Sequence, residues 1–116
     1  MLSRVNRVKK NKEFNYIYRK GKFYNCEYFT VHYVDTKLPD IKVGISISKK
    51  IGNSVVRSKC KRIISEIVRL KLPVMKTKNY IITLKPSVAD ASYGVLSSYF
   101  DKFLIKCDLV KDTKDV

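Results

Sequence analysis

The sequence predicts a small α+β protein, a two-layer sandwich of one sheet with helices packed on it. Three observations predict it. Lys42 to Ser48 alternates cleanly, with Val43, Ile45 and Ile47 on one side and Gly44, Ser46 and Ser48 on the other. After a Gly52-Asn53-Ser54 turn, a helical stripe of Val56, Cys60, Ile63, Ile64 and Ile67 runs towards Lys71. Tyr80 to Leu84 is then a short apolar run with the character of a buried strand. Strand, helix and strand in that order make a βαβ-type unit. Parallel pairing of its strands is one option, for which the general expectation is a right-handed crossover.

The remaining elements follow in chain order. Asn11 is placed to cap a helix over Lys12 to Lys20, ended by Gly21, with Phe14, Ile17 and Tyr18 sharing a face. Tyr24 to Val34 reads as one strand, with Phe29, Val31 and Tyr33 pointing one way and Tyr28, Thr30 and His32 the other. Leu38-Pro39-Asp40 is a turn. Pro73 follows the end of the long helix. Past Lys85-Pro86, a last helix spans about Ala91 to Cys107, with a stripe of Tyr93, Leu96, Phe100, Phe103, Leu104 and Cys107. Asp108 to Val116 reads as a polar, frayed tail.

Length and composition set the bounds. At 116 residues, 45% of them hydrophobic, with eight Tyr and five Phe, the chain is expected to fold as one domain over residues 1–116 with a real core. No apolar run approaches membrane-spanning length, and no apolar segment follows the basic start to make a secretory signal. Cys26, Cys60 and Cys107 are odd in number and lack metal-ligand spacing, so reduced thiols in a cytoplasmic protein are expected.

Charge points to the partner. The formal net charge is +15. Residues 1–72 carry 18 Lys/Arg against five acids, and residues 73–116 carry seven against five. Lys49 to Arg62 alone holds six cations and no acid, and the first acid after Asp40 is Glu66. Solvated helix faces usually interleave both signs, so this face suits a polyanion, with RNA or DNA the first suspect. An acidic membrane fits less well, because the basic helix lacks the exposed apolar face of interfacial helices. The helix start at Asn53 to Val56 adds free N–H groups for a phosphate. Phe14, Tyr18, Tyr28 and His32 could line a shallow groove for unstacked bases, a reading that nearly ties with ordinary core packing.

Catalytic constellations are missing. The one His would have to serve any Ser-His-Asp triad, and among aromatics on a strand His32 reads better as a surface or groove residue. The ten acids are scattered, without a DxD, HExxH or paired-carboxylate pattern for a metal nuclease. Gly52-Asn53 lacks the Walker pattern, and four glycines leave no dinucleotide loop. The chain reads as a binder whose chemistry lies in its partner.

The stretch Val43 to Arg62 resembles the signature of the bacterial ribonuclease P protein subunit, which reads VGxSVSKKxGNAVxRNRxKR. Arg7 to Phe14 is similar to the family's RLKKxxDF start, and Tyr80-Ile81-Ile82 with Lys85-Pro86 also fits. The resemblance covers roughly residues 4–107. It implies an α-β-β-β-α-β-α sandwich, similar to a ribosomal-protein domain, with a left-handed crossover. It also implies a non-catalytic subunit of an endoribonuclease. The partner is a large ribonuclease P RNA which, with Mg²⁺ held mainly by that RNA, removes the 5′ leader of precursor tRNA. No membrane and no obligate protein partner is implied.

Carried over by position, Lys49, Lys50, Asn53, Arg57, Ser58, Lys59, Lys61 and Arg62 would bind the catalytic RNA, and Phe14, Tyr18, Thr30 and His32 would line the leader cleft. Ser58-Lys59 stands where the family has Asn-Arg, which keeps a charge but loses a bidentate fork. Tyr18 replaces a usual Phe, and His32 a usual Tyr. Two readings from other classes stay open: an rRNA-binding ribosomal or assembly protein, and a self-sufficient metal nuclease, which would need clustered acids.

Overall fold

The computed structural model describes residues 6–8 and 10–111. The elements run α1 (Asn11–Lys20), β1 (Lys22–Asn25), β2 (Phe29–Asp35), β3 (Lys42–Ser46), α2 (Ser54–Lys71), β4 (Lys78–Leu84) and α3 (Tyr93–Lys106). The strands form one sheet in the order β1-β2-β4-β3. β3 and β4 are parallel, with Val43 opposite Tyr80 and Ile45 opposite Ile82, so the strand-helix-strand unit read from sequence is a parallel crossover through α2. The other pairings are antiparallel.

The period of two sorts the sheet residues between two cores. Phe29 and Val31 of β2 and Tyr80, Ile82 and Leu84 of β4 face the larger one, which α2 and α3 complete with Ile64, Ile67, Val68, Leu96, Phe100 and Phe103. Ile81 faces the opposite side and meets Ile17 of α1 and Val8, with Phe14 and Val34 packed around them. Hence α2 and α3 make the helical layer on one face, while α1 alone crosses the other and leaves much of it open. That arrangement creates the candidate site.

Two glycines permit close approach. A Cβ on Gly21 would lie 2.5 Å from the carbonyl oxygen of Ile17 and 2.7 Å from that of Tyr33, so only glycine lets α1 end against β2. A Cβ on Gly44 would lie 2.7 Å from Phe14 Cζ, so the Phe14 ring occupies the space a side chain would fill on β3.

Several expectations are corrected. The Tyr24 to Val34 segment is a hairpin, broken at Cys26-Glu27-Tyr28. The Lys85 ammonium holds this bend by donating to Asn25 Oδ1 and to the Cys26 carbonyl, and Ser87 Oγ donates to the Glu27 carbonyl. Tyr28 therefore leaves the groove and packs edge-on against Tyr99, with ring centroids 4.9 Å apart. The cap of α1 is Lys10, without a side-chain bond, and Asn11 is the first helical residue. The preceding segment is pinned by Val8 N–H donating to the Val43 carbonyl, which fixes where α1 begins. Tyr93 is exposed, because α3 starts only there, after a 3₁₀ turn over Pro86–Asp90 and a Ser92 cap. The expected frayed tail is ordered over its first residues: Leu109 is buried and Val110 bridges Met75. The remainder of that tail, 112–116, lies outside the described residues.

Candidate nucleic-acid interface

The basic helix is built locally. Asn53 is its N-cap, with Oδ1 accepting the Val56 N–H at 3.0 Å. Gly52 before it has φ +156°, and a Cβ there would meet Val56 Cβ at 3.1 Å. The first turn of α2 carries no acid, so nothing offsets the positive end of its dipole. Cys60, Ile64, Ile67 and Val68 anchor the inner face. Ser58, Lys59, Lys61 and Arg62 are exposed on the outer one, and Lys49 and Lys50 are exposed in the 3₁₀ turn that precedes the helix.

None of the six cations from Lys49 to Arg62, Arg57 included, enters an ion pair among the described residues. The acid of the helix, Glu66, is taken by Arg69, whose guanidinium holds the Glu66 carboxyl below the usual range. Arg57 is half-buried, and its Nε is buried without a hydrogen-bond partner. A buried donor left unmatched is costly, so this guanidinium is suited to an incoming acceptor.

The second part of the site lies between α1 and the open face of the sheet. Tyr18 meets His32 edge-on at 4.9 Å between ring centroids. Its hydroxyl is 3.3 Å from Thr83 Oγ1. Thr83 lies opposite Thr30 in the β2–β4 register, and Thr30 Oγ1 donates to Asn25 Oδ1 at 2.8 Å. Tyr18, Thr30 and His32 thus lie together on the α1 side of the sheet. Burial pushes the His32 imidazole below its ordinary pKa, and its Nδ1 is buried without a partner. Phe23, which the sequence reading missed, stands beside them: 68% exposed, with its ring 5.9 Å from His32. It opposes His32 across the β1–β2 pair, and a recognised hairpin would have revealed it.

Phe14 sits one turn earlier on α1, where the two parts meet. With Arg7, Val8, Gly44, Lys61 and Ser65 it lines a cavity of about 240 Å³. Ser58, Lys61, Arg62 and Ser65 surround a neighbouring depression on α2. Lys61 borders both, so the Phe14 cavity and the depression on α2 share a wall. No three His, Cys, Asp or Glu side chains among the described residues are arranged to hold a metal ion. No helix among them is long and apolar enough to cross a membrane.

Comparison with known proteins bears on the family and the fold. The ribonuclease P family model matches residues 2–108. The ribonuclease P protein component of Bacillus mycoides is 37% identical over 97 residues, covering 82% of this chain and 84% of the relative. That of Bacillus velezensis is 32% identical over 111 residues, covering 95% and 96%. The solved structure of the Staphylococcus aureus RNase P protein superposes with a TM-score of 0.85 at 29% identity, over 91% of this chain and 98% of that one. The Thermotoga maritima RNase P protein, at 22% identity and a TM-score of 0.77, shares the fold. A match over nearly the full length, in sequence and in fold alike, means that this chain belongs to the ribonuclease P protein family.

Proposed function

We propose that the chain binds a ribonuclease P RNA through the outer face of α2 and holds the 5′ leader of precursor tRNA in the cleft between α1 and the sheet. The observation that carries this reading is the acid-free set of exposed cations from Lys49 to Arg62, mounted on a helix whose other face is locked in the core. Lys49, Lys50, Lys59, Lys61 and Arg62 meet phosphates, and each contact releases counterions from the RNA. Arg57 offers its unmatched Nε, and Ser58 one hydroxyl.

In the cleft, unstacked leader bases rest on the Tyr18 and Phe23 rings, at about 1–3 kcal/mol per stacked base. Thr30 supplies a hydroxyl, and a neutral His32 an unpaired ring nitrogen. Phe14, one turn before Tyr18 on α1, shares its cavity with Lys61 of α2, so a leader entering the cleft is held close to the catalytic RNA. The protein's share of the reaction is positioning; the RNA carries the hydrolysis and the Mg²⁺ it needs. Among the described residues no three His, Cys, Asp or Glu side chains are grouped to hold that ion.

Reconstitution tests the reading. The purified chain is mixed with ribonuclease P RNA from the same organism at low Mg²⁺, and cleavage of a precursor tRNA is followed. Cleavage at the mature 5′ end that requires both components is expected. Tight RNA binding with no stimulation would reject the reading in favour of general RNA binding.

A further inference from the structure

α1 has a second flank. On the face of β4 beneath the helix lie Asn79, Ile81 and Thr83. Ile17 covers Ile81, and Tyr18 reaches Thr83 on the side of the leader cleft. On the far side a separate groove of about 590 Å³ opens, with Lys12, Glu13, Tyr16, Arg19 and Asn79 in its lining. Three observations there have no part in the function proposed above. Tyr16 is 49% exposed, a large ring that belongs to neither hydrophobic core. Asn79 Oδ1 is buried and accepts no hydrogen bond. Lys12 and Arg19 enter no ion pair among the described residues.

The spacing is regular. Lys12, Tyr16 and Arg19 lie at i, i+4 and i+7, which places them on one stripe of α1 spanning about 10 Å. The acids at this end are matched: Glu13 faces Lys42 at 3.8 Å, and Asp35 is bonded to Lys78. The surplus is therefore positive, and it continues through Lys20 and Lys22 along the adjoining depression.

We propose that this groove is a second contact for single-stranded RNA, on the opposite side of α1 from the leader cleft. Phosphates lie against Lys12 and Arg19, one base stacks on Tyr16, and a base N–H donates to Asn79 Oδ1. Cations flanking an exposed aromatic ring are the arrangement that single-stranded nucleic acid takes. An acidic peptide would satisfy the charges and could donate an N–H to the amide oxygen, but its acidic side chains would leave the ring without a stacking partner.

The test is a chemical-shift titration of the full isotope-labelled chain with a mixed-sequence single-stranded RNA hexamer, and with inorganic polyphosphate as a probe of charge alone. The RNA is expected to move the Tyr16 ring, the Asn79 side-chain amide and Arg19 as one saturable set; polyphosphate is expected to move only the cations. Tyr16→Ala, at an exposed position, is expected to weaken that set roughly fivefold or more while leaving shifts at Tyr18, Phe23 and His32 in place. RNA shifts confined to α2 and the leader cleft would overturn the proposal. So would identical behaviour of RNA and polyphosphate with no effect of Tyr16→Ala. Shifts in this groove alone, with α2 and the cleft silent, would instead sink the function proposed above and leave this contact standing.

Discussion

His32 shows how one side chain's surroundings set its chemistry. Its ring lies between Tyr18 and Phe23 with Nδ1 unmatched, and burial lowers its pKa from the ordinary 6.5. The unfolded chain therefore takes up the proton more readily than the folded one. Stability from the neutral ring is complete above pH 6.5 and is lost as pH falls below it. Melting temperatures of the protein and of His32→Phe, taken from pH 7.5 to pH 5, should diverge, with the parent losing more. Parallel curves would show that the imidazole is not held neutral. His32 could be assigned to the groove from strand periodicity alone. Tyr28 could not, because its strand breaks where Lys85 bonds back to Asn25 and Cys26, about sixty positions earlier in the chain. An alternating aromatic run carries no local sign of a bend fixed from so far away.

At the scale of the element, α2 was the most legible part of the molecule. Its stripe and its cations follow from local spacing: Cys60, Ile64 and Ile67 are buried as that spacing expects, while Val56 and Ile63 are half-buried and Val68 joins the buried face in their place. The hairpin of β1 and β2 was the least legible, and Phe23 was lost with it. The α1 start was missed by one residue, since a pairing with β3 rather than a cap determines it. For α2 the proposed contacts predict a measurable slope. Arg57→Ala or Arg62→Ala should each lower the dependence of log affinity for ribonuclease P RNA on log salt by about 0.7–0.9, one phosphate contact apiece. Slopes unchanged in both variants would remove the helix from the interface. Circular dichroism should show both variants folded, because neither residue belongs to the buried stripe.

Across the whole molecule, the aromatic content that argued for a core converges on one ring. Phe103 is fully buried and sits 5.4 Å from Tyr24, 5.5 Å from Phe100, 6.0 Å from Tyr33 and 6.5 Å from Tyr80. It ties α3 to three of the four strands' worth of packing on that face, so Phe103→Ala should cost about 3–5 kcal/mol. A urea midpoint close to that of the parent would show the site able to collapse around the loss. The same count of aromatics could not say which rings serve the core and which the cleft. That division depends on α1 crossing the face opposite α2 and α3, a choice made by long-range packing.

The Val8 amide that donates to Val43 has a consequence for the molecule's behaviour in a crowded solution. β3 is an outer strand, and an uncovered outer strand is a template on which another molecule's backbone can extend the sheet. Arg7 and Val8 pair with β3 at Val43 and occupy that part of the template. Val8→Pro removes the donor N–H and should unmask the strand. Light scattering of the concentrated variant should then report growing assemblies while the parent stays dispersed. A variant that remains equally dispersed would mean that the edge is guarded by its charge alone.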